Sequence, residues 1–120
     1  MKQVFRPYEI LNDTLIRLGS PIGDGGYIIT QNVLDKVDVL YSYGTNHEIS
    51  FERDFAIRTG KQVYLYDMTC VETDLLPNMT FYKEGLSGLK HKDTDNLLAH
   101  IAAHNDQDKK VLVKMDVEGW

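Results

Sequence analysis

The sequence predicts an α/β domain built on a mostly parallel sheet. Three observations carry that reading. Short apolar runs alternate with helix-like stretches from Val37 onward, the pattern of strands joined by crossover helices. Each apolar run is followed by polar or glycine residues, at Ser42–His47, Asp67, Glu84–Ser87 and Asp116–Glu118. Ligands in parallel sheets bind beyond those carboxyl ends. Finally, Asp67 closes the run after the turn at Gly44. An acid about 20 residues past a glycine turn is placed to take a ribose diol, so the ligand is of nucleoside type.

Composition sets the outer bounds. The chain has 120 residues, 42% hydrophobic and 26% charged, enough for one domain with one core. A net charge of −5 argues against a nucleic-acid or anionic-membrane surface. No apolar run approaches the ~20 residues that span a bilayer. The N-terminal MKQVFRPYEIL lacks a secretory apolar stretch, so a cytoplasmic location is expected. The single cysteine, Cys70, cannot form an internal disulfide.

In order, Pro7 can open a short helix. Leu15–Leu18 and Tyr27–Thr30 read as strands around the turn-rich 20–26 segment, a hairpin ahead of the main sheet. Residues 1–36 are thus a hairpin or cap segment, and 37–120 the ligand-binding half of the sheet. Asn32–Lys36 reads as a connector. Val37–Tyr41 is the first core strand, apolar enough to be buried on both faces. A helix follows from about Glu48, with Phe51 and Phe55 one turn apart and Gly60 just past its end. Val63–Tyr66, within the apolar run from Gln62, and Met79–Lys83 are the second and third strands. Asp93 or Thr94 can cap a helix carrying Leu97, Leu98 and Ile101 on one face. Val111–Met115 is the fourth strand.

Several residues stand where chemistry is expected. Gly44 lets the backbone approach a ligand or simply makes the turn. Asp67 offers two acceptor oxygens to a vicinal diol, or ends a strand in solvent. Glu48 meets a ligand ammonium or supports the helix N-terminus. Asp116 and Glu118 alternate along one strand face and can hold an amino group or take a proton from an acceptor hydroxyl. Two carboxylates are a weak metal signal, and His47, His91, His100 and His104 show no ligand spacing, so no metal is expected. His100 and His104 read as a solvated helix face and Cys70 as an inert thiol.

Three segments resemble the class I S-adenosylmethionine-dependent methyltransferases, and within them the FkbM-like group: Asp24-Gly25-Gly26-Tyr27-Ile28-Ile29, Ser42-Tyr43-Gly44-Thr45-Asn46-His47-Glu48-Ile49-Ser50-Phe51-Glu52, and Leu112-Val113-Lys114-Met115-Asp116-Val117-Glu118-Gly119. The resemblance implies a Rossmann-like methyltransferase sheet whose four strands form the 3-2-1-4 half. It implies S-adenosyl-L-methionine as cofactor, held by Tyr43, Gly44, Asn46, Glu48, Asp67 and Asp116, with Gly85 and Leu86 at the adenine. It further implies O-methylation of a small-molecule or glycan acceptor, with Asp116 or Glu118 as base. Asn46 replaces the motif's second glycine, and Met68 stands where relatives often carry proline. Relatives continue into three further strands, so the chain is expected to be an excerpt or truncation of a longer enzyme. Two other functions remain open: a non-catalytic Rossmann-like binding module and an NAD-dependent oxidoreductase, which normally wants more glycines than this turn has.

Overall fold

The computed structural model describes residues 14–20, 26–86 and 94–116. The expected helix start at Pro7, the turn residue Asp24, the cap Asp93 and the candidate base Glu118 lie outside the described residues.

Strands β1 (Leu15–Leu18) and β2 (Tyr27–Thr30) form the expected antiparallel hairpin, with Leu18 opposite Tyr27. The segment read as a connector is instead a helix, α1 (Gln31–Lys36). The Thr30 hydroxyl caps it by accepting from Val33 N, and Val33 and Leu34 are buried. A single capped turn and a half is too short to show a helical period in sequence.

The central sheet contains β3 (Val39–Tyr43), β4 (Gln62–Tyr66), β5 (Met79–Tyr82) and β8 (Val111–Met115). All three pairings are parallel, and the order is β5-β4-β3-β8. This is the third-second-first-fourth order expected for these four strands. The first strand is displaced two residues from its expected bounds: Val37 caps α1, and the ladder continues through Ser42 and Tyr43. All five β3 residues are buried, as a strand flanked on both sides and covered on both faces must be.

Helix α2 (Ser50–Thr59) joins β3 to β4. It starts two residues later than expected, because Asn46 and His47 occupy left-handed conformations. It ends at Gly60, whose φ of 66° lets its N–H reach Ala56 O. Helix α3 (Leu97–Ala103) joins the short parallel pair β6 (Gly85–Leu86) and β7 (Thr94–Asp95) to β8. Its cap is Asn96, not Asp93 or Thr94: the Asn96 side chain accepts from Ala99 N.

The chain steps outward from β3 to β5, then returns to β8 on the other side of β3. Crossovers of one hand in opposite directions put their helices on opposite faces. Accordingly, Phe51, Phe55 and Ala56 of α2 pack with Leu40, Val63 and Leu65, together with Leu18, Ile16 and Tyr27 from the hairpin. On the other face, Leu97 and Ile101 of α3 pack with Val39, Tyr41, Tyr43 and Tyr66. The hairpin therefore shares a core with the sheet. Leu98, expected on the packed side of α3, is 77% exposed. Among the described residues, no helix is long and apolar enough to cross a membrane.

Candidate functional site

The carboxyl ends of β3 and β4 are locked together by one acid. Gly44 leaves β3 with φ of 84°, a conformation that disfavours any residue with a Cβ. Its N–H still bonds Tyr66 O at 2.9 Å, so the turn begins flush with the sheet. The backbone then exposes two successive donors. Thr45 N and Asn46 N both donate to Asp67 Oδ2 at 2.9 Å. Thr69 N donates to Oδ1 at 2.7 Å, joined by the Thr69 hydroxyl. Asp67 is 1% exposed. Burial on its own would raise its pKa, but the Thr69 and Asn46 hydrogen bonds outweigh that and hold it below the ordinary carboxylate range.

Other expected site residues fall into two groups. Tyr43, Gly44, Asn46, Asp67 and Asp116 come together: Asp116 N donates to Tyr43 O at 2.9 Å, beside the Gly44 turn. Asn46 takes φ of 46°, the left-handed geometry that glycine would otherwise supply. Glu48 does not join them through its carboxylate, which is exposed and accepts from Ser50 N at 2.9 Å; the Ser50 hydroxyl first and this backbone bond second lower its pKa. Gly85 is buried in β6, and Leu86 pairs with Asp95 through the backbone.

Beneath the junction of β3 and β8 sits a group that the sequence did not single out. Glu52 is fully buried on α2, and its Oε2 accepts from the Ser42 hydroxyl and from Lys114 Nζ, the latter at 2.8 Å. Glu52 Oε1 is buried with no hydrogen-bond partner. The Lys114 ammonium also lies 5.0 Å from the Tyr27 ring centroid and 5.8 Å from that of Phe51, within cation–π range.

The opposite face carries the two histidines, and here the solvated-face reading is corrected. His100 is 5% exposed. It stacks on Tyr66 with centroids 4.4 Å apart, and its Nδ1 lies 2.9 Å from Tyr43 Oη. His104 stacks on Tyr64 at 3.7 Å and bonds Tyr66 Oη through Nε2 at 2.9 Å. The reason is spacing: i, i+4 places both rings on one helix face, and that face meets the tyrosines. Burial lowers the His104 pKa and raises those of Tyr41, Tyr43 and Tyr66. His100 Nε2 lies 3.5 Å from Glu84 Oε1 but makes no hydrogen bond.

A third cluster flanks the turn. His47 Nδ1 lies 3.4 Å from Glu72 Oε1, and Cys70 Sγ lies 3.7 Å from Glu72 Oε2. Burial raises the Cys70 pKa. Sequence spacing hides this cluster, because His47 leaves β3 while Cys70 and Glu72 leave β4.

Compared with protein-family models, with curated proteins and with solved structures, the chain has no match.

Proposed function

We propose that this chain binds a nucleoside-type cofactor, S-adenosyl-L-methionine, at the carboxyl ends of β3, β4 and β8, and that the site serves methyl transfer to a hydroxyl of a small-molecule or glycan acceptor. The observation that carries the reading is the reversal of strand order between β3 and β8. That is the crevice where doubly wound sheets hold such ligands. Gly44 and Asp116 follow those two strands, and Asp67 lies buried beneath the Gly44 turn at the end of the neighbouring β4. The finer fold assignment that goes with this reading is the cofactor-binding half of a Rossmann-like methyltransferase sheet.

The chemistry asked of the protein is modest. Methyl transfer from a sulfonium needs alignment above all. Gly44 gives the cofactor backbone access, and exposed Asp116 is placed to receive the acceptor's proton. Asp67 reaches a ribose diol by exchanging its bond to the Thr69 hydroxyl for one to the diol, while Oδ2 keeps the turn in place.

Asp67's set of donors favours a second reading, a non-catalytic module that retains the sheet. Calorimetric titration with S-adenosylhomocysteine and, separately, with NAD separates the readings. Saturable binding of the first alone, lost in Gly44→Ala, supports the proposal. A folded chain that binds neither overturns it in favour of the module, and binding of NAD alone points to an oxidoreductase.

A further inference from the structure

We propose that His47, Cys70 and Glu72 form a binding site for one divalent transition-metal ion, with zinc the metal their donor set suits best. The inference is independent of the nucleoside site. Its three candidate ligand atoms, one nitrogen, one sulfur and one carboxylate oxygen, all lie within 4.8 Å of one another. Zinc bonds of about 2.0–2.3 Å at tetrahedral angles place neighbouring ligand atoms roughly 3.3–3.7 Å apart. The His47–Glu72 and Cys70–Glu72 separations are 3.4 and 3.7 Å. The first ends on Oε1 and the second on Oε2, so whichever oxygen ligates, one edge of a tetrahedron is already at the right length. Rotation of the exposed His47 ring and of the Cys70 side chain can close the others, since the three ligand atoms already lie within 4.8 Å.

The carboxylate at the centre is held in place. The Glu72 side chain is 8% exposed. Its Oε2 accepts from Thr45 Oγ1 and from His47 N, both at 2.7 Å. Such bonds orient a ligating carboxylate and strengthen a metal site. They also leave Oε1 facing the imidazole. His47 adopts φ of 62° directly after Asn46 at 46°. Among residues with a side chain, asparagine and histidine are among those enriched in this left-handed conformation, so the turn holds the imidazole beside Glu72.

The donor types choose the metal. A thiolate and an imidazole exclude magnesium and calcium, which want oxygen, and suit zinc and its neighbours. On binding, the Cys70 thiol releases its proton to solvent as sulfur takes the metal. Three protein ligands leave a fourth position. Solvent reaches it through a shallow groove bordered by Ile49, Arg53, Val71 and Thr73, so water can occupy it.

The test is uptake by the reduced, metal-free chain, using zinc in competition with a chromophoric chelator and cobalt(II) as a spectroscopic probe. One equivalent should bind, and the cobalt form should show thiolate-to-metal charge transfer in the near ultraviolet. Cys70→Ser should abolish that absorption. Cys70→Ser and His47→Asn should each weaken zinc binding by roughly tenfold or more. Asparagine is chosen because it tolerates the left-handed backbone. Asp74→Asn, which removes a fully exposed acid from the same loop, should leave affinity unchanged. Circular dichroism confirms that each variant is folded. Absence of saturable uptake, or affinity retained in folded Cys70→Ser, would overturn the proposal and leave the cluster as a hydrogen-bonded clasp.

Discussion

The two faces of the central sheet obey the same period-two alternation but are built from different chemistry. Toward α2 and the hairpin, the strands present Leu40, Val63, Leu65, Met79 and Phe81, with Leu112 beside them. Toward α3 they present Tyr41, Tyr43, Tyr64, Tyr66 and Tyr82. The first face is filled by side chains that need only shape. The second must also satisfy every hydroxyl it buries. It does so with His100, His104 and Asp106: Tyr41 Oη donates to Asp106 Oδ2 at 2.7 Å, and Lys109 Nζ lies 2.8 Å from Asp106 Oδ1. The difference teaches that one face is secured by packing and the other by a hydrogen-bonded network of tyrosine, histidine and aspartate. The aliphatic face also buries a polar group, Ser42 with the Glu52–Lys114 pair, and that pair gives the sharpest test of the contrast.

Lys114→Met should have the largest effect. It leaves the Glu52 carboxylate buried with the Ser42 hydroxyl as its only remaining partner among the described residues. Loss of one member of a buried pair costs about 3–5 kcal/mol. The urea midpoint should fall accordingly, and the double variant Glu52→Leu, Lys114→Met should recover most of the loss. A single variant within about 1 kcal/mol of the parent would mean that the face tolerates a lone carboxylate and that the contrast is weaker than drawn.

Tyr41→Phe should act on the other face with a smaller effect. It removes one hydroxyl while keeping the ring that stacks on Tyr66 at a centroid distance of 6.2 Å. Asp106, 1% exposed, then loses a donor, at a cost of about 1–3 kcal/mol. Equilibrium unfolding with an unchanged m-value would read this directly. No measurable loss would indicate that packing alone secures this face as well.

How far the sequence disclosed this arrangement depends on the range of each signal. Strands β1, β2 and β8 were legible to the residue and β4 to within one, because apolar runs and turn residues are local. The order β5-β4-β3-β8 was legible through the motif resemblance, and Gly60 through its place after an amphipathic stretch. Helix α1 was not, since six residues hold no period. The histidines were misassigned because their partners are tyrosines some 34 to 57 positions away in the chain, and a polar residue at helical spacing looks solvated until its partner is known. The role of Asp67 was only half legible. Its place at the end of β4 was legible, but its donors, Thr45 N and Asn46 N, exist only once the Gly44 turn is folded. The His47, Cys70 and Glu72 cluster needed two strands to be paired before it could be seen.

Acid should separate the two faces by the smallest but most selective effect. Burial holds His104 below its ordinary pKa of 6.5. Asp106 and Glu84 oppose that depression, and nearby His100 adds to it. As pH falls through 6.5, the unfolded chain takes up a proton at this position that the folded chain still excludes. The unfolded state then binds more protons, so stability is full above this value and declines below it. The turn responds in a different window. The Asp67 carboxyl lies below its ordinary 3.8 in the folded chain. Its contribution is therefore intact above 3.8 and is lost only as pH falls from there through the folded value. Urea midpoints measured between about pH 7.5 and about pH 5 should thus fall through the tyrosine–histidine face while the turn remains untouched. His104→Gln keeps a hydrogen-bonding group opposite Tyr66 Oη but cannot titrate, so it should flatten the upper window and leave the lower one in place. A midpoint that falls as steeply in this variant would move the titrating group away from His104, and the tyrosine-rich face would lose its claim to be the pH-sensitive half of the sheet.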